Sequence, residues 1–193
     1  MKELYLMRHG QTLFNTLNKI QGWCDSPLTE LGKSQARLAS EMLHAIPFDH
    51  YYCSTAERSS DTLELVAPGA SYTRLKGLKE RYFSVFEGES ESLNPAMADY
   101  DAVFTKYGGE SSEDVARRMV TTLTEIMEKP DHQCVLAVSH AGACMTFLGR
   151  WINPEQVLQD RRFSNCAVLH FTYEQGNFTF VEMLSIDGVK EHE

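Results

Sequence analysis

A chain of 193 residues with 42% hydrophobic and 23% charged residues has the length and composition of one soluble globular domain with a sizeable core. The formal net charge of −9 and the lack of any basic cluster exclude a nucleic-acid binder and a basic membrane-surface helix. No apolar run approaches the roughly 18 residues of a membrane span.

The amino terminus, MKELYLMRHG, has no apolar centre and no small-residue cleavage site, so it is not read as a signal peptide, and the protein is read as cytoplasmic. Residues 3–7 form a short buried strand that runs straight into Arg8 and His9. Residues 30–46 put Leu31, Leu38, Met42 and Ile46 on one face and read as a helix ending before Pro47. A strand at 50–53, a helix at 55–67 stopped by Pro68-Gly69, and a strand at 71–75 follow. The stretch 81–109 has no period but is rich in aromatics. Ser111 and Asp114 then open a strong helix with Val115, Met119, Leu123 and Ile126 as its stripe. Residues 133–139 are the clearest buried strand, and 141–151 read as a helix. Residues 166–184 read as a hairpin turning at Gln175-Gly176-Asn177.

Strands alternating with helices predict an α/β fold. The expected form is a three-layer α/β/α arrangement, with a mostly parallel six-stranded sheet that contains an antiparallel strand. The expected organisation is a single domain over 1–193 with a small inserted lid or subdomain at about 81–110. The five cysteines are odd in number and include no CxxC pair, so they read as buried free thiols.

In such folds ligands bind beyond the carboxyl ends of the strands. Arg8 and His9 leave the end of the first strand, and His140 leaves the end of the best one, in VLAVSHAGA. Were the two strands neighbours, the two imidazoles would face each other. Ala141 and Gly142 would start a helix whose free N–H groups favour an anion. Histidines 44, 50, 132, 170 and 192 lack this setting and read as surface or packing residues. In STAERSSDT, Ser54, Arg58 and Thr62 recur at helical spacing, although spacing alone does not separate Arg58 from a solvent-facing arginine. An acid near this cluster would suit proton transfer to a leaving oxygen, and the residues alone do not choose among Glu80, Glu87, Glu89 and Glu91.

The motifs LMRHGQT, Asn15, IQGWCDSPLTELG, CSTAERSSDT, LKERYFSVFEG, GGES and VSHAG, in this order, resemble the histidine phosphatase superfamily, which includes the cofactor-dependent phosphoglycerate mutases. The segment NCAVLHF resembles its phosphatase members. The resemblance implies that His9 is a nucleophile forming a phosphohistidine, with Nδ1 holding the proton and Nε2 attacking. It implies that Arg8, Arg58 and His140 clamp the phosphoryl group, and that Glu80 is the general acid and base. It further implies substrate contacts from Gln11, Thr12, Asn15, Gln21, Gly22, Arg81, Ala141 and Gly142. No metal and no cofactor are implied. The implied partner is a small phosphorylated metabolite, neither nucleic acid nor membrane, with a homodimer left open. Ser84 stands where the family's E-x-x-x-G pattern has glycine. The mutases carry an added segment with further arginines. Between Glu80 and the helix at 111 this chain has only Arg81 and Lys106 as cations, which implies a phosphatase.

Overall fold

The computed structural model describes residues 1–159 and 163–186. In chain order it contains β1 (Lys2–Arg8), α1 (Leu13–Thr16), α2 (Glu30–Leu43), β2 (His50–Ser54), α3 (Glu57–Val66), β3 (Tyr72–Leu75), α4 (Tyr100–Lys106) and α5 (Ser112–Met127). These are followed by β4 (Cys134–Ser139), α6 (Ala141–Leu148), α7 (Pro154–Leu158), β5 (Val168–Glu174) and β6 (Asn177–Leu184).

The six strands form one sheet in the order β3-β2-β4-β1-β5-β6. β1, β2, β3 and β4 are mutually parallel, and β5 runs antiparallel to both β1 and β6. This is the expected α/β sheet with one reversed strand. β1 and β4 are neighbours, with Arg8 opposite Ser139, so their carboxyl ends open side by side. β4 is buried along its whole length, which is why its sequence reads as a continuous apolar run rather than an alternation.

Alternate side chains of the strands feed two cores. Leu4, Leu6, Val135 and Ala137 pack with α5 and α6, whereas Met7, Leu136 and Val138 pack with α2 and α3. α5 has the predicted capping box, in which Ser111 and Asp114 satisfy each other's backbone N–H groups, and its predicted stripe is buried.

Several sequence expectations need correction. α2 ends at Leu43, and its buried stripe is Gly32, Ala36, Ala39 and Leu43, while Leu31 is exposed. Close approach is the reason at its start, where a Cβ on Gly32 would lie 2.0 Å from the Gln11 carbonyl oxygen, while Leu38, Met42 and Ile46 pack partly buried beside this stripe. α3 starts at Glu57 and α6 ends at Leu148, and Ser54 belongs to β2 rather than to the helix face it was grouped with. The short helices α1, α4 and α7 stand outside the sequence reading. The hairpin turns on Gln175 and Gly176, both with positive φ, so the turn is one residue tighter than expected.

The aperiodic stretch after Glu80 is built on a ring cluster. Phe83, Phe86 and Tyr100 all meet the fully buried Phe104 edge-on. It is tied to the loop before α2, where Ile20 N–H donates to the Glu89 carbonyl and Gly88 N–H to the Ile20 carbonyl, each at 2.8 Å. Ser84 adopts φ 55°, the left-handed conformation that glycine takes without strain, and its hydroxyl donates to the Tyr107 carbonyl. Among the described residues no helix is long and apolar enough to cross a membrane.

Candidate active site

β1 delivers His9 to the sheet edge, where His9 N–H donates to the Ser139 carbonyl at 3.1 Å. The ring is almost fully buried, and its Nδ1 lies 2.7 Å from the Gly10 carbonyl oxygen. A carbonyl only accepts, so Nδ1 carries the proton and Nε2 keeps an unprotonated lone pair. The Arg58 Nε–H points at that nitrogen from 3.3 Å. Burial chiefly, and then the charges of Arg58 and Arg8, hold the His9 imidazole well below its usual pKa.

His140 lies beside it, with ring centroids 5.2 Å apart. Arg58 Nε also donates to His140 Nδ1 at 3.1 Å. The proton of neutral His140 therefore sits on Nε2, which donates to Ser54 Oγ at 2.7 Å, and Ser54 donates on to Ser59. The expected role of His140 as a donor is altered by this arrangement. While the ring is neutral its inward nitrogen is an acceptor, and it becomes a donor only on gaining a second proton. Burial, followed by Arg58 and His9, keeps His140 neutral.

Arg58 is fully buried and every nitrogen is engaged. Nη1 donates to the Cys24 carbonyl and to Asp25 Oδ1, both at 2.9 Å, and Nη2 donates to the Gly22 carbonyl at 2.8 Å. Thr62, one turn further along α3, accepts from Gly10 N–H and donates to the Arg58 carbonyl. Arg8 Nη1 donates to the Phe163 carbonyl at 2.6 Å, while its buried Nε has no partner. A buried guanidinium N–H without an acceptor is suited to an anionic oxygen.

Glu80 is buried at the mouth of α6. Its Oε2 accepts from Gly142 N–H and its Oε1 from Arg81 N–H, both at 2.8 Å. Its carbonyl accepts from the Trp23 indole and from Arg118, each at 2.9 Å. Glu87 instead closes a loop, since its carboxylate accepts from the backbone N–H groups of Gly22, Trp23, Cys24 and Phe83. This contrast separates two acids that the residues alone leave equivalent.

A cavity of about 800 Å³ opens here. Of the residues singled out from sequence, Arg8, His9, Asn15, Gln21, Glu80, Arg81, Ala141 and Gly142 line it. Arg58 and His140 sit behind His9. Gln11, Thr12 and Gly22 are placed elsewhere. The Gln11 amide oxygen accepts from Thr29, Thr12 caps α1 and donates to Gln21, and Gly22 offers its carbonyl to Arg58. A Cβ on Gly22 would meet the Arg81 carbonyl at 2.3 Å, so glycine is needed there for close approach. Arg81 lines the wall with its guanidinium bound to Asp101 and Ser112.

Sequence reasoning passed over Asp25, Ser59, Trp23 and Arg118, which hold Arg58, His140 or Glu80. Asp25 and Trp23 lie within the quoted IQGWCDSPLTELG motif, but Arg118 sits on the polar side of an amphipathic helix with no local signal. Asn165, in the quoted NCAVLHF segment, donates to the His9 carbonyl at 3.0 Å. Four of the cysteines are buried and Cys24 is half-buried; burial pushes the thiols of Cys24, Cys53, Cys134 and Cys166 up to about 12, so they are poor nucleophiles. One group of metal-ligand type, His50, Asp131 and His132, occurs among the described residues, at the amino ends of β2 and β4. Its two imidazoles stack at 3.5 Å and 13°, so their in-plane lone pairs run alongside each other instead of meeting.

Residues 4–185 match the model of the histidine phosphatase superfamily, branch 1. The chain belongs to that superfamily. It is 32% identical over 189 residues to a Yersinia pestis protein named "Probable phosphoglycerate mutase GpmB", a match that spans 91% of this chain and 86% of that one. Among solved structures it resembles a phosphoglycerate mutase from Bacillus anthracis, with 25% identity, a TM-score of 0.78, and coverage of 94% of this chain and 92% of the other. The alpha-ribazole phosphatase of Shigella flexneri shares the fold at TM-score 0.80 and 24% identity, over 98% of this chain and all of the other.

Proposed function

We propose that the protein is a metal-independent phosphatase that hydrolyses small phosphate monoesters through a phosphohistidine on His9. The observation that carries this reading is the His9 Nδ1–H bond to Gly10, which leaves Nε2 unprotonated and aimed at the Arg58 guanidinium. Nε2 attacks phosphorus as the ester P–O bond breaks, and a protonated Glu80 delivers its proton to the leaving alkoxide. Water then attacks the phosphohistidine, Glu80 takes a proton from it, and the N–P bond breaks to release phosphate. Arg8 meets the charge on the non-bridging oxygens, since phosphoryl transfer depends mostly on positioning and charge stabilisation, whereas Arg58, with every nitrogen engaged behind His9, orients the ring instead of clamping the phosphoryl group as expected. The dianion favours a second proton on His140, which turns its Nδ1 into a donor.

The test is turnover of an aryl phosphate in the presence of a chelator between pH 5 and 7.5, with acid quenching to trap labelled protein. The expected result is acid-labile label on wild type, none on His9→Ala, and a loss of about 10²–10⁴ in rate in Glu80→Gln. Label retained in His9→Ala, or no turnover without added metal, refutes the reading. The second reading is a phosphoglycerate mutase, favoured by the names of the Yersinia and Bacillus relatives and by the Glu80-Arg81 pair. Interconversion of the two monophosphoglycerates far faster than their hydrolysis would establish it instead.

A further inference from the structure

Beyond the phosphate end, the cavity is far larger than a three-carbon ester requires, and its volume lies in the range that holds drug-sized ligands. Its wall is mainly apolar, with Ile20, Phe83, Met97, Tyr100, Met145 and Leu158 facing the space. Lys19, Arg81 and Arg150 are its cations beyond Arg8, and each already has partners. Arg81, itself buried, is held by the half-exposed Asp101 at 2.8 Å, Arg150 pairs with Glu113, and Lys19 donates to the Gly88 carbonyl and lies over the Phe14 ring. Glu91 and Glu155 add two carboxylates to the lining, and neither forms an ion pair among the described residues. Among the described residues only Lys19 in this wall has a positive charge that no carboxylate pairs with, and Glu91 and Glu155 outnumber it.

We propose that the preferred substrates are phosphate monoesters of bulky apolar alcohols, and that esters bearing a carboxylate, such as phosphoglycerates, are disfavoured. The inference rests on the phosphatase reading above and specifies its substrate class. An apolar leaving group fills the wall from Phe83 to Met145 and displaces water from it. A carboxylate placed there meets Glu91, Glu113 or Glu155, or must draw Lys19 or a guanidinium from its present partner.

The experiment compares kcat/KM for ethyl, butyl and hexyl phosphate, whose leaving oxygens are chemically alike, with that for 3-phosphoglycerate. The matching alkylphosphonates, which cannot be hydrolysed, are titrated by calorimetry. The expected result is a rise of roughly fourfold per methylene buried, hexyl phosphate at least tenfold above ethyl, and 3-phosphoglycerate no better than ethyl. Met145→Ala should lower the hexyl-to-ethyl ratio about threefold or more. Glu113→Gln, which releases Arg150, should improve 3-phosphoglycerate relative to hexyl phosphate. A flat chain-length series, or 3-phosphoglycerate as the best ester, overturns the proposal and leaves the phosphatase reading standing. Phosphonate affinity that climbs with chain length while no ester is hydrolysed leaves the apolar pocket standing and refutes the phosphatase reading.

Discussion

At Gly142 a methyl group has no room. An added Cβ would lie 2.7 Å from Glu80 Oε1, so Gly142→Ala must move the carboxyl group. Gly142 is the second residue of α6, and alanine is the better helix former. We therefore expect Gly142→Ala to keep or raise the melting temperature while kcat falls at least about tenfold; a 1 Å misplacement at a reacting centre is enough for such a loss. Equal activity in a thermally stable variant would show that Glu80 has no part in proton transfer. The ionisation of His9 leads to a second expectation. Its imidazole stays neutral well below the ordinary value, so the acid limb of kcat/KM set by the nucleophile should lie below pH 6.5. A pH–rate profile that already falls between pH 7 and 6.5 would contradict that assignment.

Among the elements, the loop from Gln21 to Ser26 is held by two ions of opposite sign. The Glu87 carboxylate gathers the N–H groups of Gly22, Trp23 and Cys24, and the Arg58 guanidinium takes the carbonyls of Gly22 and Cys24. Glu87→Gln removes the charge and can satisfy fewer of these donors. It should lower stability by about 2–3 kcal/mol and reduce kcat as well, because Arg58 loses its frame. Denaturant unfolding and turnover on the same preparation would check both effects. This loop also shows where sequence reasoning stops. Arg8, His9 and His140 are legible because each follows a buried strand, and the fold class is legible from the alternation of elements. Glu80 and Glu87 are locally alike, and only contacts made across the fold separate a carboxyl group aimed into the cavity from one that closes a loop. α1, α4 and α7 are too short for a helical period to show, and the small-residue face of α2 carries little hydrophobic signal although it packs most closely.

For the whole molecule, burying two neutral imidazoles links stability to pH. The unfolded chain takes up protons on His9 and His140 as pH falls below about 6.5, and the folded chain does not. Their contribution is therefore complete above that pH and is lost toward acid, by up to about 1.4 kcal/mol per pH unit for each group. His132, also held below its usual value chiefly by burial, acts in the same sense. Urea unfolding at pH 7 and 5.5 should show this slope, and His140→Gln should reduce it. An anion bound at Arg8 and His9 favours the folded state. Vanadate at about one hundred times its Kd should add about 2.7 kcal/mol and raise Tm by about 5–11 °C. No shift with vanadate would mean that the Arg8 Nε–H is closed to anions.

The strand order has a further consequence during synthesis. β1 is made first, yet it lies between β4 and β5, and His9 is framed by Ser139 and Asn165. At about 5–20 residues per second, a ribosome reaches residue 134 roughly 6 to 25 seconds after residue 8. Through that interval the apolar segment Leu4–Met7 has no permanent neighbour on either side. The nascent chain must therefore keep its own beginning from sticking to other chains, and a chaperone that shields this segment should raise the yield of active enzyme more than one acting on the finished protein.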